Sequence, residues 1–419
     1  MTLTSIRTAL RALVTAGVCL IPCVGATSAS ASAHRAPASI ALTEQDYWSF
    51  AAVSNGINWL INTYHKEHPN VTITRTTTPG DQLVSKFLAE SLTNSLPSIA
   101  MPDNPTVAAL AQAGVLTSIS PQVKAWGQWN QYFPASQQAT TYKGQIYGIH
   151  MGTNDLSIIY NADMLKAAGI AHPPATWSEL RADARKLTHG SVYGMAFGVM
   201  PGGCGAWQFE PWMWSAGGDL QTPTSAGTVR ALTFLTSFIH DGSVSKNVVN
   251  WCQAESESAF LEQRAAMMEN GSWDLPDLAK VHNFHWGIVP VPVPEAGAKV
   301  VVPVGGEVWS VPHTNAAQEA AAWDFIKWTQ QPQILQHYNQ MIGYIPVRKD
   351  VASQVEKANP LLRVYVDELA TARARTSVLG SQYPQYATIL ENAVGEALTL
   401  KQTPQAALAA AAQQMKTVK

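Results

Sequence analysis

Short β-rich runs alternate along this chain with helical segments that carry their own boundary signals. "SIALT" at 39–43 has the composition of a strand, a helical run containing Ile57, Leu60 and Ile61 follows, and "NVTITRTT" at 70–77 is the next strand. Strands that alternate with helices are typical of βαβ units. The sequence therefore predicts an α/β protein with mostly parallel strands.

Several predicted helices begin at recognisable capping residues. Asn161 precedes "ADMLKAA", Thr176 and Glu179 form a capping box, and Asn315 with Gln318 opens a later helix. Such side chains accept hydrogen bonds from the free N–H groups of a first helical turn. We expect helices to start at these three places.

A further helix is expected after the apolar run "SIAM" at 98–101. Asn104 is placed as its N-cap, Pro105 lies in its first turn, and Gly114 closes it.

Residues 1–33 have the composition of a secretory signal peptide. Arg7 and Arg11 precede an apolar run, and a tail of small residues ends in Ala31-Ser32-Ala33. The run is shorter than the ~20 residues that a membrane span needs. We therefore predict export, with cleavage near Ala33, to the periplasm, the cell surface or the medium.

Removal of this segment would leave two of the four cysteines, Cys204 and Cys252. An oxidising compartment allows them to form a disulfide, and the alternative is two separate buried thiols. Val18 precedes Cys19 and Pro22 precedes Cys23, so neither cysteine fits a lipid-anchor site well, and the sequence leaves open whether the protein is anchored or free.

Length and charge narrow the class of protein. A chain of 419 residues exceeds the usual size of one hydrophobic core, which favours two domains. The formal net charge is −2, and it becomes more negative without the predicted signal peptide, which holds no acid. Binding to nucleic acid or to another anionic polymer is not expected.

Two segments look like passages between domains. "GIHMGTNDLSIIYN" at 148–161 joins two strand-like runs through small and polar residues, and "VVVPVGGEVWSVP" at 300–312 is interrupted by Gly305-Gly306. Adjacent glycines suit a bend or a close approach of two backbones. A chain that crosses twice makes each domain discontinuous and leaves a cleft between them as the default ligand site.

Several segments occur in an order that a known family shares, including "YHKEHPNVTI", "LPSIAMPDNPTVAALAQAGVLTSI", "LSIIYNADMLKAAGI", "AFLEQRAAMMENGSW", "GGEVWSVPHTNAAQEAAAWDFIKW" and "GYIPVR". Through them, from about residue 39 to the C-terminus, the chain resembles the extracellular solute-binding proteins of bacterial ABC importers, in particular the maltose-binding-protein-like sugar group. Pro97-Ser98-Ile99 departs from the family's usual Pro-Asp-Ile.

The resemblance implies an α/β, two-lobed periplasmic-binding-protein-like fold of type II, with discontinuous lobes joined by a hinge. It implies an N-terminal lobe made of 34–153 and 307–352, and a C-terminal lobe made of 154–306 and 353–419.

Aromatic residues gather in loops of this sequence. The chain has 14 Trp against 12 Tyr and 10 Phe, and many lie in "DYW", "GAWQFEPWMW", "GSW" and "GEVW". Aromatic rings pack against the apolar faces of a sugar, while carboxylates and amides bind its hydroxyls. Trp323 and Trp328 have regular helical apolar spacing and are assigned to the core.

The resemblance places Trp273, the tryptophan of "GSW", at the mouth of the second lobe as a stacking residue, with packing between the lobes as the alternative. Trp207 lies where family members carry a ring that faces the sugar. Glu210 and Trp212 are further candidates beside it.

Polar candidates come from the loops and passages. Asp103 follows a buried strand at the sheet edge where α/β proteins bind ligands, and its alternative role is a turn acid that competes with Asn104. Asn154 and Asp155 lie in the first passage, and Glu307 lies in the second.

The loop after the first strand adds three candidates, Glu44, Gln45 and Trp48. Tyr386 is a C-terminal candidate.

Sequence motifs of enzymes are absent. There is no G-x-S-x-G, no H-E-x-x-H, no phosphate-binding glycine loop and no C-x-x-C. His282 and His285 form an H-x-x-H without a third ligand, so we assign them to the surface or to a structural role. No metal and no cofactor is predicted.

The sequence thus predicts a non-enzymatic, monomeric binding protein that captures a mono- or oligosaccharide by lobe closure and delivers it to a membrane permease. The alternatives are a polyol, a glycerol phosphodiester or a polyamine as ligand, and, as a different class, an extracellular carbohydrate-active enzyme.

Overall fold

The computed structural model describes residues 39–49 and 51–418. The predicted signal peptide at 1–33 lies outside the described residues. Ser39–Lys419 cluster as a single unit by their contacts, so the lobe boundaries given above remain predictions. Within the part of the chain that is described, no helix is both long and apolar enough to cross a membrane.

The described residues form ten strands, most of them short. They are β1 (Ile40–Asp46), β2 (Val71–Thr77), β3 (Ile99–Ala100), β4 (Thr141–Tyr142), β5 (Gln145–Ile146), β6 (Ile149–His150), β7 (Leu156–Asn161), β8 (Met267–Gly271), β9 (Trp286–Val289) and β10 (Val308–Trp309).

Helices make up most of the remaining regular structure. They are α1 (Ala51–Glu67), α2 (Gly80–Leu92), α3 (Val107–Gln112), α4 (Ser120–Trp126), α5 (Pro134–Ala139), α6 (Ala162–Ala167), α7 (Trp177–Leu187), α8 (Cys204–Ser215), α9 (Ala226–Asp241), α10 (Gln253–Leu261), α11 (Leu275–Leu278), α12 (Ala316–Thr329), α13 (Pro332–Ile342), α14 (Lys349–Ala358), α15 (Arg363–Glu368), α16 (Tyr383–Leu398) and α17 (Pro404–Met415).

The first sheet is parallel, in the order β2-β1-β3. In β2 the side chains alternate, with Val71 and Ile73 buried and Thr72 and Thr74 exposed, as expected of a strand with one covered face. The apolar residues of α1 pack onto this sheet together with α12 and α13. We call this cluster the first core; its largest members include Leu42, Ile57, Leu60, Trp309, Phe325 and Tyr338.

The second sheet has the order β8-β7-β9, and both pairings are antiparallel. The expectation of mostly parallel strands is therefore wrong for this half of the chain. Composition identifies a strand, but it does not encode the direction of a partner that lies about a hundred residues away.

Strand β7 is buried on both faces, which explains why four of its six residues are apolar or aromatic. Leu156 and Ile158 point into a cluster formed with α8, α9, α16 and α17, and Ile159 points into another cluster on the opposite face. We call the α8-containing cluster the second core. Helix α8 is apolar on nearly all sides and is almost entirely enclosed by it.

The predicted caps at three helix starts are confirmed. Asn161 accepts from Met164 N, Thr176 and Glu179 form a capping box, and Asn315 accepts from Gln318 N. Trp323 and Trp328 are buried at 7% and 4% exposure, so their assignment to the core is also confirmed.

Asn104 does not cap the helix that was predicted to follow it. Residues Asn104–Thr106 form a 3-10 turn that leads into α3, and the Asn104 amide instead donates to Val304 O and Gly306 O. A long-range bond to the 300–312 passage replaces the local cap because Asn104 is completely buried. Gly114 follows α3 with a positive φ of 74°.

The two passages lie side by side. Strand β6 pairs with β10, and Gly305 N donates to Asn154 O at 2.8 Å. Gly306 has φ +101°, and a Cβ there would lie 2.5 Å from Gly152 O. This close approach of two backbones explains the paired glycines.

Cys204 and Cys252 form a disulfide, with their Cα atoms 5.5 Å apart. It joins the first residue of α8 to the residue before α10, so of the two alternatives for these cysteines the structure contains the bridge.

Candidate ligand-binding site

Asp103 and Arg375 form an ion pair at the centre of the candidate site. Asp103 follows β3 at the carboxyl edge of the first sheet, and its Oδ1 accepts from Arg375 Nη2 at 2.7 Å. The Arg375 side chain is 6% exposed, whereas that of Asp103 is 35% exposed. Burial alone would lower the pKa of Arg375, but the neighbouring Asp103, Tyr383 and Glu210 raise it, so the guanidinium stays charged.

Trp207 lies beneath this ion pair. The Arg375 guanidinium lies 4.7 Å from the centre of the Trp207 ring, a cation–π contact, and Trp207 is 5% exposed. A Cβ on Gly305 would overlap Trp207 and Asn154. The glycine of the second passage therefore allows its backbone to lie against both side chains.

Trp273 lies 6.4 Å from Trp207, with the two rings inclined by 42°. It is half-buried and packs against both the first and the second core. A Cβ on Gly271 would overlap its six-membered ring. The absence of a side chain at Gly271 thus lets the indole lie against the end of β8.

Glu210 follows Trp207 by three residues on α8 and is completely buried. Tyr383 Oη donates to Glu210 Oε1 at 2.7 Å. Burial raises the pKa of Glu210 to about 8, although Arg375 opposes the shift. At neutral pH this carboxyl therefore carries a proton and can act as a hydrogen-bond donor.

Glu307 lies beside Asp103, to which it is joined by an antiparallel bridge. Its carboxylate accepts from Tyr47 Oη at 2.5 Å and from Tyr344 Oη at 3.1 Å. Burial and, next, the charge of Asp103 raise the pKa of Glu307 to about 7. Glu307 therefore holds its proton to a higher pH than an exposed glutamate does.

Asn154 belongs to this group, since it is 5% exposed and lies against Gly305. Asp155 does not. Its side chain is completely buried, and burial followed by the charge of Glu368 raises its pKa well above the ordinary value. The structure places Asp155 beside α15 rather than beside Asp103.

The strand β1 runs further than the sequence suggested, so Glu44 and Gln45 lie within β1 rather than in the loop after it, and only Trp48 follows the strand. Glu44 is fully buried 3.8 Å from Arg75, and Gln45 lies 3.0 Å from Thr78 Oγ1. Both side chains therefore contact residues in or beside β2, namely Arg75 and Thr78, rather than the Asp103–Arg375 pair. Trp48 is half-buried and stacks on Tyr47, with 4.9 Å between the ring centres.

Trp212 and Tyr386 lie in or against the second core. Trp212 is completely buried and donates to Glu269 Oε1 at 3.0 Å. Tyr386 is half-buried and packs against the same core. The structure does not bring either of them to the ion pair.

Four residues of the site were missed by the sequence analysis, namely Tyr47, Tyr344, Tyr383 and Arg375. Tyr47 and Tyr344 lie inside the quoted segments "DYW" and "GYIPVR", so that attention to every aromatic in those segments would have found them. Arg375 has no local signal, because its partners Asp103, Trp207 and Tyr383 come from three other parts of the chain.

The site contains one compensated ion pair, two carboxyls that hold protons near pH 7, three tyrosines and two indoles. This arrangement can offer hydrogen-bond donors and acceptors to hydroxyl groups and flat apolar surfaces to carbon atoms. Among the residues that the structure describes, no three His, Cys, Asp or Glu side chains are arranged as a metal site. His285 is exposed and lies 3.1 Å from Asp163, and His282 is exposed.

The chain was compared with known proteins. Residues 59–363 match the family model described as bacterial extracellular solute-binding protein. A protein of Brucella abortus described as a binding protein is 22% identical over 364 residues, which cover 83% of this chain and 86% of the relative.

Two solved structures share the fold. An ABC transporter solute-binding protein of Thermotoga lettingae bound to α-D-tagatose has a TM-score of 0.81 at 23% identity, covering 91% of this chain and 100% of that chain. The maltose-bound MalE3 protein of T. maritima has a TM-score of 0.82 at 20% identity, with the same coverage. The predicted periplasmic-binding-protein-like α/β fold is confirmed.

The family match extends over more than half of the chain, and its members bind solutes rather than catalyse reactions. The chain therefore belongs to the bacterial extracellular solute-binding proteins, the solute-capturing components of ABC transporters.

Proposed function

We propose that this protein captures an uncharged, hydroxyl-rich solute, a mono- or oligosaccharide, at the Asp103–Arg375 ion pair and delivers it to the permease subunits of an ABC transporter. The observation that carries the proposal is the composition of the site. The charges of Asp103 and Arg375 compensate each other. The acids and tyrosines can exchange hydrogen bonds with the hydroxyl groups of a ligand, beside the rings of Trp207 and Trp273.

Charge balance supports a neutral ligand. A carboxylate or phosphate group would need an uncompensated cation, but Arg375 is already paired with Asp103 and lies near Glu210. A polyamine would need several ionised acids, whereas burial keeps a proton on Glu210 and on part of the Glu307 population. Sugars and polyols are uncharged and need neither an unpaired cation nor several ionised acids. Sugars are the first candidates and polyols the second.

The mechanism that we propose is closure of the two lobes around the ligand. A ligand that contacts Asp103 on one side and Trp207 or Trp273 on the other favours the closed arrangement by its differential affinity for that state. The permease then receives the closed, loaded form, and no chemical step is involved. We propose that the exported protein acts as a monomer.

A thermal-shift screen over mono-, di- and trisaccharides, including maltose and α-D-tagatose, tests the proposal. A saccharide that binds only the folded protein raises the apparent melting temperature, and a concentration of 100 times Kd stabilises it by about 2.7 kcal/mol. If no saccharide produces a shift but sorbitol or spermidine does, the ligand class is wrong.

A glycerol phosphodiester is the second candidate, because Arg375 is a buried guanidinium inside the site. The phosphate of such a ligand would compete with Asp103 for Arg375. Its binding should therefore disappear in the variant Arg375→Gln. Glycerophosphocholine belongs in the same screen for this reason.

A further inference from the structure

The carboxylate of Glu391 accepts hydrogen bonds from three backbone N–H groups at the start of α8. Gly202 N lies 2.8 Å and Gly203 N lies 3.0 Å from its oxygens, and Ala206 N lies 3.2 Å away. Glu391 is 1% exposed and belongs to α16. The first N–H groups of a helix have no partner within the helix, so an anion placed there stabilises it.

The sequence before α8 is shaped to admit this carboxylate. Gly202 and Gly203 have φ values of +106° and +116°, which residues other than glycine rarely adopt. A Cβ on Gly205 would lie 3.1 Å from Glu391 Cγ and 2.9 Å from Val199 O. The three glycines of "PGGCGAW" therefore let the chain fold closely around Glu391.

Helix α16 holds α8 at a second point. Tyr383, at the start of α16, donates to Glu210 in the second half of α8 at 2.7 Å. Tyr383 and Glu391 are eight residues apart and Gly203 and Glu210 are seven, which correspond to about 12 Å and about 10.5 Å along their helices. The matched spacing means that the two antiparallel helices are fixed to each other at two points, each of which joins the start of one helix to the middle of the other.

Trp207 lies between these two points. It directly follows Ala206, which is one of the three donors to Glu391, and it precedes Glu210 by less than one turn. Its indole is enclosed by Arg375 and by the backbone of Gly305. A rotation or slide of α8 relative to α16 would therefore move this ring relative to both neighbours.

We infer that Glu391 is a positioning residue, which acts through the first turn of α8 to set where the Trp207 indole lies in the ligand site. The inference rests on the proposed function, in which Trp207 belongs to that site. Glu391 itself lies behind α8, where it contacts backbone N–H groups rather than the Asp103–Arg375 pair. The disulfide of Cys204 restrains the same turn toward α10 but does not fix its rotation on α16.

The test uses fluorine NMR of the ligand-free full chain labelled with 5-fluorotryptophan. The Trp207 resonance is assigned by its loss in Trp207→Phe. In Glu391→Gln one carboxylate oxygen becomes an NH2 group that cannot accept, so we expect the Trp207 resonance to shift or broaden. The resonance of Trp323, which lies in the first core, should stay in place.

Glu396→Gln is the matched control, because Glu396 lies on the same helix and pairs with Lys401 at the surface. It should leave both resonances unchanged. A purely structural role of Glu391 would lower the melting temperature of Glu391→Gln without moving the Trp207 signal, and this result would overturn the inference. If Glu391→Gln does not fold, Glu391→Asp replaces it, because the shorter side chain withdraws the carboxylate by one CH2 group. A shifted Trp207 resonance in that variant supports the inference, and an unmoved one overturns it.

The experiment requires no ligand, so its result is independent of the saccharide screen. An unmoved Trp207 resonance rejects the role of Glu391 and leaves the proposed function intact. A screen without any bound saccharide rejects the proposed function but not the mechanical link between Glu391 and Trp207.

Discussion

Arg375 and Asp103 are 272 residues apart in sequence and form one ion pair at 2.7 Å. Asp103 extends from the edge of the first sheet, and the segment that holds Arg375 leads into α16 of the second core. The pair thus joins two parts of the chain that have separate hydrophobic cores. Its partners Trp207 and Tyr383 lie within 4.7 Å and 6.0 Å, measured from the Arg375 guanidinium to each ring centre.

Arg375→Ala should weaken both folding and ligand binding. The substitution leaves Asp103 without its partner, and breaking a buried ion pair costs about 3 to 5 kcal/mol. Since Asp103 is partly exposed, we expect about 2 kcal/mol in the free energy of unfolding, measured by urea denaturation. Arg363→Ala removes a surface ion pair with Asp367 and should have little effect. Equal effects of the two variants would contradict the central place of Arg375.

Trp273→Ala should lower ligand affinity by about 2 kcal/mol or more, roughly 30-fold, if its ring is an anchor. Titration calorimetry with the saccharide found by the screen measures this loss. Trp59→Ala is the control, because Trp59 is also half-buried but packs against His337 beside the first core. Unchanged affinity in Trp273→Ala would remove this ring from the site.

Gly271→Ala should displace the Trp273 ring without straining the backbone. Gly271 has φ −119°, which any residue adopts, and the three atoms nearest to the new Cβ all belong to the Trp273 indole. We expect a change in tryptophan fluorescence and a weaker ligand affinity. Gly395→Ala meets nothing within 4 Å and should instead be neutral or stabilising by up to about 1 kcal/mol. A Gly271→Ala protein with wild-type affinity would show that the position of this ring is unimportant.

The stability of the protein should fall as pH rises from about 5 to about 8. Burial raises the pKa of Glu210 from 4.5 to about 8, so between these values the folded state keeps a proton that the unfolded state has lost. The free energy of unfolding therefore decreases with pH in this window. Burial likewise raises the pKa of Glu307 to about 7, which acts in the same direction.

Urea denaturation at several pH values checks this expectation. Glu210→Gln should flatten the pH dependence by the contribution of that one group. Glu295→Gln, a change at an exposed side chain, should leave it as in the wild type. If Glu210→Gln retains the full pH dependence, Glu210 is not the buried acid that the structure shows.

Removal of the disulfide should destabilise the protein more than it affects the site. Cys204 and Cys252 are 48 residues apart, and closing a loop of that size stabilises a fold by about 4 kcal/mol in the chain-entropy model. The double variant Cys204→Ser, Cys252→Ser should show this loss in urea denaturation. Thiol titration of the oxidised wild type should find no free thiol, and two free thiols would contradict the bridge.

The sequence identifies those features that depend on local chemistry. Asn161, Thr176 and Asn315 start helices as predicted because a cap needs only its own first turn. Gly305-Gly306 marked a close backbone approach for the same kind of reason, since a missing Cβ is visible in the sequence. Asp103 was found from its place after a buried strand, whereas Trp273 came from the resemblance to a family, which supplies the long-range arrangement that local patterns lack.

Features that depend on distant partners were missed or misread. Asn104 looked like a cap but binds the carbonyls of Val304 and Gly306, about 200 residues away. Asp155 and Asn154 are neighbours in sequence, yet the alternation of side chains sends Asp155 into the interior toward Glu368. The antiparallel pairing of the second sheet and the role of Arg375 were missed for the same reason. The direction of a partner strand and the partner of a charged side chain are both decided by tertiary contacts.

Titration calorimetry of the purified protein with maltose, α-D-tagatose and the best saccharide of the thermal screen tests the central claim most directly. The account predicts heat of binding for at least one of them, with one ligand per chain, and a weaker affinity for it in both Arg375→Ala and Trp273→Ala. No heat with any saccharide, together with binding of glycerophosphocholine that depends on Arg375, would contradict it.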